Sequence, residues 1–192
     1  ALIFPQHQAI ASTGRYAVAS VTHTYTDAQR IETYTHTGDH RKLTVQFWYP
    51  REAQGVYPLI VFSHGGFGVR SSNETLYREL ASHGYVVASI DHTYQCFLTT
   101  DTDGQRTLMD QGYMHELQVE DARANRQQSY HFYQKWMTIR MGDINFVIDT
   151  LLAEAQKPDA LGVYSRVDST KIGVMGHSLG GLVTLYWASQ HH

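Results

Sequence analysis

The stretch Gly176-His177-Ser178-Leu179-Gly180-Gly181 sets one serine between glycines two positions away on either side. An apolar run, Lys171–Met175, precedes it and a second apolar run follows it. Small residues at those offsets let a strand and the helix after it approach closely. A serine on the strained turn between them is lifted clear of the sheet, where a base can reach its hydroxyl. The chemistry is nucleophilic attack on an acyl carbon, giving a covalent intermediate. Such attack needs two N–H donors aimed at the developing oxyanion. One is the backbone amide of Leu179, at the positive end of the following helix. The other is expected from Ser63-His64-Gly65-Gly66-Phe67-Gly68, a glycine-rich turn at the end of a second apolar run; either Phe67 or Gly66 can supply it. A glycine-rich turn can also cradle phosphate, but no Lys-Ser/Thr follows here as a P-loop requires.

These loops need a sheet to carry them. Leu43–Tyr49, Pro58–Ser63, Tyr85–Ile90 and Lys171–Met175 read as strands. The last three are short, almost continuously apolar runs, as in parallel strands buried on both faces. Tyr16–Thr26 alternates in part and reads as a more exposed edge strand. Helices are expected at Glu74–His83, with Leu76 and Leu80 on one face, and at Met141–Glu154, with Ile144, Val147, Ile148 and Leu151 on one stripe. A third runs over Leu182–Ser189, out of the glycines after Ser178. The alternation gives an α/β fold with right-handed crossovers. Thr93 to about Lys135 breaks the rhythm, with a helix expected only from Met114 onward; a connection this long reads as a lid or a surface excursion.

Composition excludes several classes. The 192 residues are 42% apolar and 17% charged, with a formal net charge of −3, which gives no basic footprint for nucleic acid. No apolar run approaches the ~18 residues of a membrane span. The single cysteine, Cys96, forbids an intramolecular disulfide. The chain begins at Ala1 rather than Met, which fits removal of an upstream segment and favours an extracytoplasmic setting. The twelve histidines show no HExxH or comparable ligand spacing, so no metal and no cofactor is expected. His64, His177 and Asp91-His92 read as positioning groups near the site, Cys96 as a packed thiol, and Asp143 and Asp149 as structural acids.

Taken together, the Thr13-Gly14-Arg15-Tyr16 entry, Phe47–Pro50 (FWYP), Val61–Gly68 (VFSHGGFG), Glu79–His92, Arg140–Leu151 and Val167–Gly181 resemble, in order, the platelet-activating-factor acetylhydrolase-like branch of the α/β-hydrolases. That branch is similar to bacterial lipases and polyester-cleaving esterases. The resemblance implies an α/β-hydrolase fold with a mostly parallel sheet flanked by helices. It also implies calcium-independent hydrolysis of a small ester or lipid by a Ser-His-Asp triad, with Ser178 as nucleophile. The extra glycine in HGGFG departs from the branch, which more often has a single residue between glycines, and leaves Phe67 and Gly66 both open. A thioesterase or lipase would use the same machinery; the competing reading of another class is a non-catalytic binding or interaction module.

In this fold the acid and the histidine follow the serine along the chain. The fourteen residues after Ser178 contain no acid and read as one helix. At ~1.5 Å per residue that helix carries His191 and His192 about 20 Å from the serine, against the ~3 Å a general base requires. The expectation is that residues 1–192 form the N-terminal portion of one hydrolase domain, with the triad partners outside it. The Lys171–Met175 strand would then expose an unpaired edge, to be covered by a second chain or a second copy.

Overall fold

The computed structural model describes residues 10–51 and 54–191. The expectation for His192 therefore lies outside the described residues. Five strands make one twisted sheet: β1 (Val18–Ile31), β2 (His40–Pro50), β3 (Tyr57–Ser63), β4 (Val86–Asp91) and, last in the chain, Val167–Gly176. A two-stranded hairpin, β5 (Leu98–Thr100) and β6 (Arg106–Leu108), stands apart, so the last sheet strand is β7. The sheet order is β1-β2-β4-β3-β7. β1 with β2 and β2 with β4 are antiparallel; β3 runs parallel to both β4 and β7. All six residues of β4 are buried, as are the last five of β3, which is what their unbroken apolar runs require. β7 differs. It is the outer strand among the described residues, and its residues are mostly half-buried or exposed.

Among the described residues there are four α-helices: α1 (Glu74–Ser82), α2 (Gln111–Val119), α3 (Arg126–Ala155) and α4 (Leu179–Gln190). On one face Ile144, Val147, Ile148 and Leu151 of α3 pack with Leu43, Val45, Phe47 and Val61 of the sheet, the stripe expected from their spacing. On the other, Tyr77 and Ala81 of α1 pack against Trp48, Phe62 and Val87.

Two expectations are corrected. The buried face of α1 is Tyr77, Ala81 and Ser82, with Leu80 beside it, whereas Leu76 is exposed. An aromatic ring that fits between Trp48 and Phe62 outcompetes a leucine for the core. The segment from Thr93 is also more regular than it reads. It holds the β5–β6 hairpin and α2, and α3 begins at Arg126 rather than Met141. Asn125 caps α3 by accepting the Gln128 amide, and Asp110 caps α2 by accepting that of Tyr113. The polar and aromatic first half of α3 lacks a clean apolar stripe because its buried face is Ser129, Trp136 and Arg140.

Candidate active site

β3 and β7 are parallel neighbours, so their carboxyl ends open at the same edge of the sheet. Ser63 pairs with Gly176 in register, which brings the two glycine-rich turns side by side. The His177 amide donates to the Ser63 carbonyl at 3.1 Å, tying the base of one turn to the other. Ser178 then adopts φ 52°, ψ −119°, a left-handed conformation that costs a residue with a Cβ roughly 1–3 kcal/mol. The glycines make the turn possible. A Cβ on Gly176 would overlap the Gly180 backbone, and one on Gly180 would overlap the Ser63 carbonyl. Ser178 is exposed and does not cap the helix it precedes. It faces a cleft of about 340 Å³ lined by Gly65, Gly66, Phe67, Gly68, Ser72, Asn73, His177 and itself. Larger cavities of about 400 and 480 Å³ lie beside the β5–β6 hairpin and against the segment before β7, and neither includes a residue of these turns.

Leu179 opens α4, and its side chain packs against Met109, Tyr113 and Trp136. Gly65 lies directly across from the serine, its Cβ position 3.6 Å from Ser178 Cβ. The orientation of the Gly66 and Phe67 amides follows from their carbonyls, because a trans peptide directs C=O and N–H to opposite sides and no cis bond occurs among the described residues. The Gly65 carbonyl accepts from the Gly68 amide at 3.1 Å, from His64 Nδ1 at 2.7 Å and from Arg140 at 3.3 Å. The last two donors are buried beneath the turn, so the Gly66 N–H is directed away from them. The Gly66 carbonyl accepts from the Tyr113 hydroxyl at 3.0 Å, which directs the Phe67 N–H away from α2.

Beneath this surface lies a continuous buried polar network. Arg140 donates to the carbonyl of His64, to Gln95 Oε1 at 2.8 Å and to Ser63 Oγ at 3.4 Å. Ser63 Oγ also bonds His92 Nε2 at 2.7 Å, and His92 Nδ1 donates to Asp143 at 2.9 Å. Asp143 takes a bidentate pair from Arg41, at 2.6 and 2.7 Å, and lies 3.0 Å from Arg30. Arg41 in turn bonds Glu32 at 2.8 Å. Ser63, His92 and Asp143 thus have the connectivity of a catalytic relay. All three are fully buried, however, and no substrate carbonyl reaches Ser63 Oγ. Burial and the nearby Arg140 cation push His92 down to about 4, so it is a neutral ring. Burial opposes ionisation of Asp143, but Arg41 and the His92 hydrogen bond overcome it and hold the carboxyl far below its usual range.

The other sequence candidates divide clearly. His64 is buried and neutral, with Nδ1 donating to Gly65 and Nε2 accepting the His92 amide. Asp91 accepts from the Arg70 amide and guanidinium, both at 2.5 Å, and so anchors the loop that follows the glycines. Cys96 is buried, and its thiol is pushed up by desolvation, the opposite of a reactive cysteine. Potential ligand atoms of His64, Asp91 and Cys96 lie within 4.8 Å of one another. Both ring nitrogens of His64 and the carboxylate of Asp91 are already committed as described. His191 stacks on Trp187 at the far end of an unbroken α4, away from the serine. His177 is exposed beside Ser178. What the sequence reading missed was Arg140 and Tyr113 under the glycine turn. The available signal was an arginine four residues before Ile144, one turn back along the face that Ile144, Val147, Ile148 and Leu151 bury.

The family described as platelet-activating factor acetylhydrolase, isoform II, matches residues 42–191. Cutinase est1 of Thermobifida alba is 32% identical over 143 residues, covering 74% of this chain and 34% of its own length. The platelet-activating factor acetylhydrolase of Canis lupus familiaris is 29% identical over 149 residues, covering 70% and 32%. This chain therefore spans about a third of the length of these curated relatives. The solved ferulic acid esterase from Streptomyces cinnamoneus superposes with a TM-score of 0.73 at 24% identity, covering 95% of this chain and 58% of that one. That likeness establishes the α/β-hydrolase fold.

Proposed function

Because the chain belongs to the platelet-activating factor acetylhydrolase isoform II family, we propose that it carries the nucleophile and oxyanion hole of a carboxylic-ester hydrolase. The observation that carries this reading is Ser178 itself: an exposed hydroxyl on a left-handed turn, at the start of a helix and across a cleft from a glycine-rich loop. Ser178 Oγ attacks the ester carbonyl and forms the acyl-enzyme; the alcohol leaves, and water later releases the acid. The Leu179 amide and that of Gly66 or Phe67 hold the tetrahedral oxyanion. Gly66 is favoured because its amide adjoins Gly65, whose Cβ position lies 3.6 Å from Ser178 Cβ. The relatives are a cutinase, an acetylhydrolase and a ferulic acid esterase, which supports an ester substrate for this chain.

Neither His92 nor His191 is placed to serve as the general base for Ser178. The buried ring of His92 is committed to Ser63 and Asp143, and His191 sits at the far end of α4. This same observation favours the second reading, a non-catalytic module that keeps the fold. An acyl-trapping experiment separates the two. Incubation with p-nitrophenyl acetate, acid quench and peptide mass spectrometry should find acetyl on Ser178 and none in Ser178→Ala. A folded protein that never carries the adduct supports the module.

A further inference from the structure

We propose that Arg140 is a positioning residue for the oxyanion hole, acting with Tyr113 to pin three successive carbonyls of the glycine turn and thereby aim the amides behind them. The inference rests on the esterase reading above and assigns a role within that site. Arg140 is fully buried in α3. Among the described residues it has no carboxylate partner, because Asp143, three residues on, is taken by Arg41, Arg30 and His92. Its guanidinium is spent on oxygen dipoles instead: the His64 carbonyl, the Gly65 carbonyl at 3.3 Å, and both the side chain and the carbonyl of Gln95. It also reaches the Tyr113 hydroxyl at 3.4 Å, and that hydroxyl donates to the next carbonyl, Gly66.

A buried cation without a counter-charge is costly, and buried ionic groups can often be replaced by apolar ones with no loss of stability. A role in packing alone does not explain this arginine. What its contacts do specify is direction. With the carbonyls of His64, Gly65 and Gly66 all held from the protein side, the amides of Gly65, Gly66 and Phe67 are fixed across their planar peptides. Without these donors a Gly-Gly pair is the most freely rotating dipeptide in the loop. An oxyanion hole works because its dipoles are already oriented when charge develops, and a loose Gly65-Gly66 turn would lack that property.

The test compares wild type, Arg140→Met, Arg140→Lys and Tyr113→Phe by two readouts. The first is the amide NMR spectrum of the glycine turn, which needs no catalysis. The second is inactivation by a fluorophosphonate, resolved into a saturation constant and a maximal rate. The expected result is displaced or broadened Gly66 and Phe67 amide signals in Arg140→Met and Tyr113→Phe. The maximal rate should fall about tenfold or more with the saturation constant unchanged, as for an interaction made only in the transition state. Arg140→Lys should recover part of the loss, since an ammonium can hold one carbonyl but not a fork of two. Should Arg140→Met fail to fold, Tyr113→Phe, which deletes one hydroxyl, carries the comparison. Unchanged amide signals in the folded variants would overturn the proposal, as would unchanged maximal rates or a loss confined to the saturation constant. If wild type itself resists the probe, the esterase reading fails while the amide spectra still decide whether Arg140 and Tyr113 orient the turn.

Discussion

At Ser178 the backbone itself carries the functional argument. A φ of 52° at a residue with a Cβ is held by neighbours that over-determine it, here Gly176 and Gly180 packed on the end of β3. His92 is the second informative residue. Burial and Arg140 depress its protonation from 6.5 to about 4, and the unfolded chain feels neither. Between those values the unfolded state binds a proton that the folded state refuses. Stability is therefore full above about pH 6.5 and falls as the pH falls towards 4, and His64 contributes with the same sign. Denaturant titrations at pH 7.5 and 4.5 should differ by up to about 3 kcal/mol from His92 alone. In His92→Gln, which keeps a donor and an acceptor, that difference should shrink. An equal pH dependence in the variant would show that another group controls it. At this scale the sequence was legible where chemistry is local. Ser178 and its glycines declare themselves within six residues. The network beneath does not, because Arg41 and Asp143 meet across 102 positions of chain and no spacing rule joins them.

At the scale of elements, the two glycine turns form one unit because β3 and β7 are adjacent and parallel. The elbow should tolerate almost nothing at Gly180, where a Cβ would overlap the Ser63 carbonyl. Gly180→Ala should cost about 3 kcal/mol, the upper end of the usual overpacking range, because the overlap is with backbone that cannot rotate away. Melting curves of the variant beside wild type check this, and a loss under 1 kcal/mol would mean that α4 can slide away from β3. The strands were legible because β3 and β4 are short apolar runs buried on both faces. The first half of α3 was not, since a helix that buries Ser129, Trp136 and Arg140 presents no apolar period to read. α2, whose sole buried residue is Tyr113, was legible in part, as the helix expected from Met114 onward, which begins three residues late.

For the whole molecule the open side of β7 is the feature that matters. β7 pairs with β3 on one side only among the described residues. α4 beside it leaves Leu182, Leu185 and Tyr186 exposed, Leu185 by 71%. An unpaired strand flanked by apolar helix surface is a template for association. We expect the isolated 192-residue chain to associate, with a concentration-dependent mass by light scattering. Leu185→Lys together with Leu182→Lys, both exposed on α4, should lower that mass; a monodisperse monomer at high concentration would contradict the expectation. With neither His92 nor His191 placed to activate Ser178, p-nitrophenyl acetate turnover by residues 1–192 should be slower by several orders of magnitude than that of a serine hydrolase with its base in place; full turnover lost in Ser178→Ala would contradict this.

Fluorophosphonate labelling of the folded protein, with the adduct mapped by mass spectrometry, asks whether Ser178 is a nucleophile in a formed oxyanion hole. Oxyanion hole and binding alone leave a residual acceleration of ~10³–10⁴ over water. The prediction is therefore slow but selective modification of Ser178, far faster than a free serine derivative and absent from Ser178→Ala. Modification no faster than the free amino acid, or adducts spread over other serines and tyrosines, would contradict it.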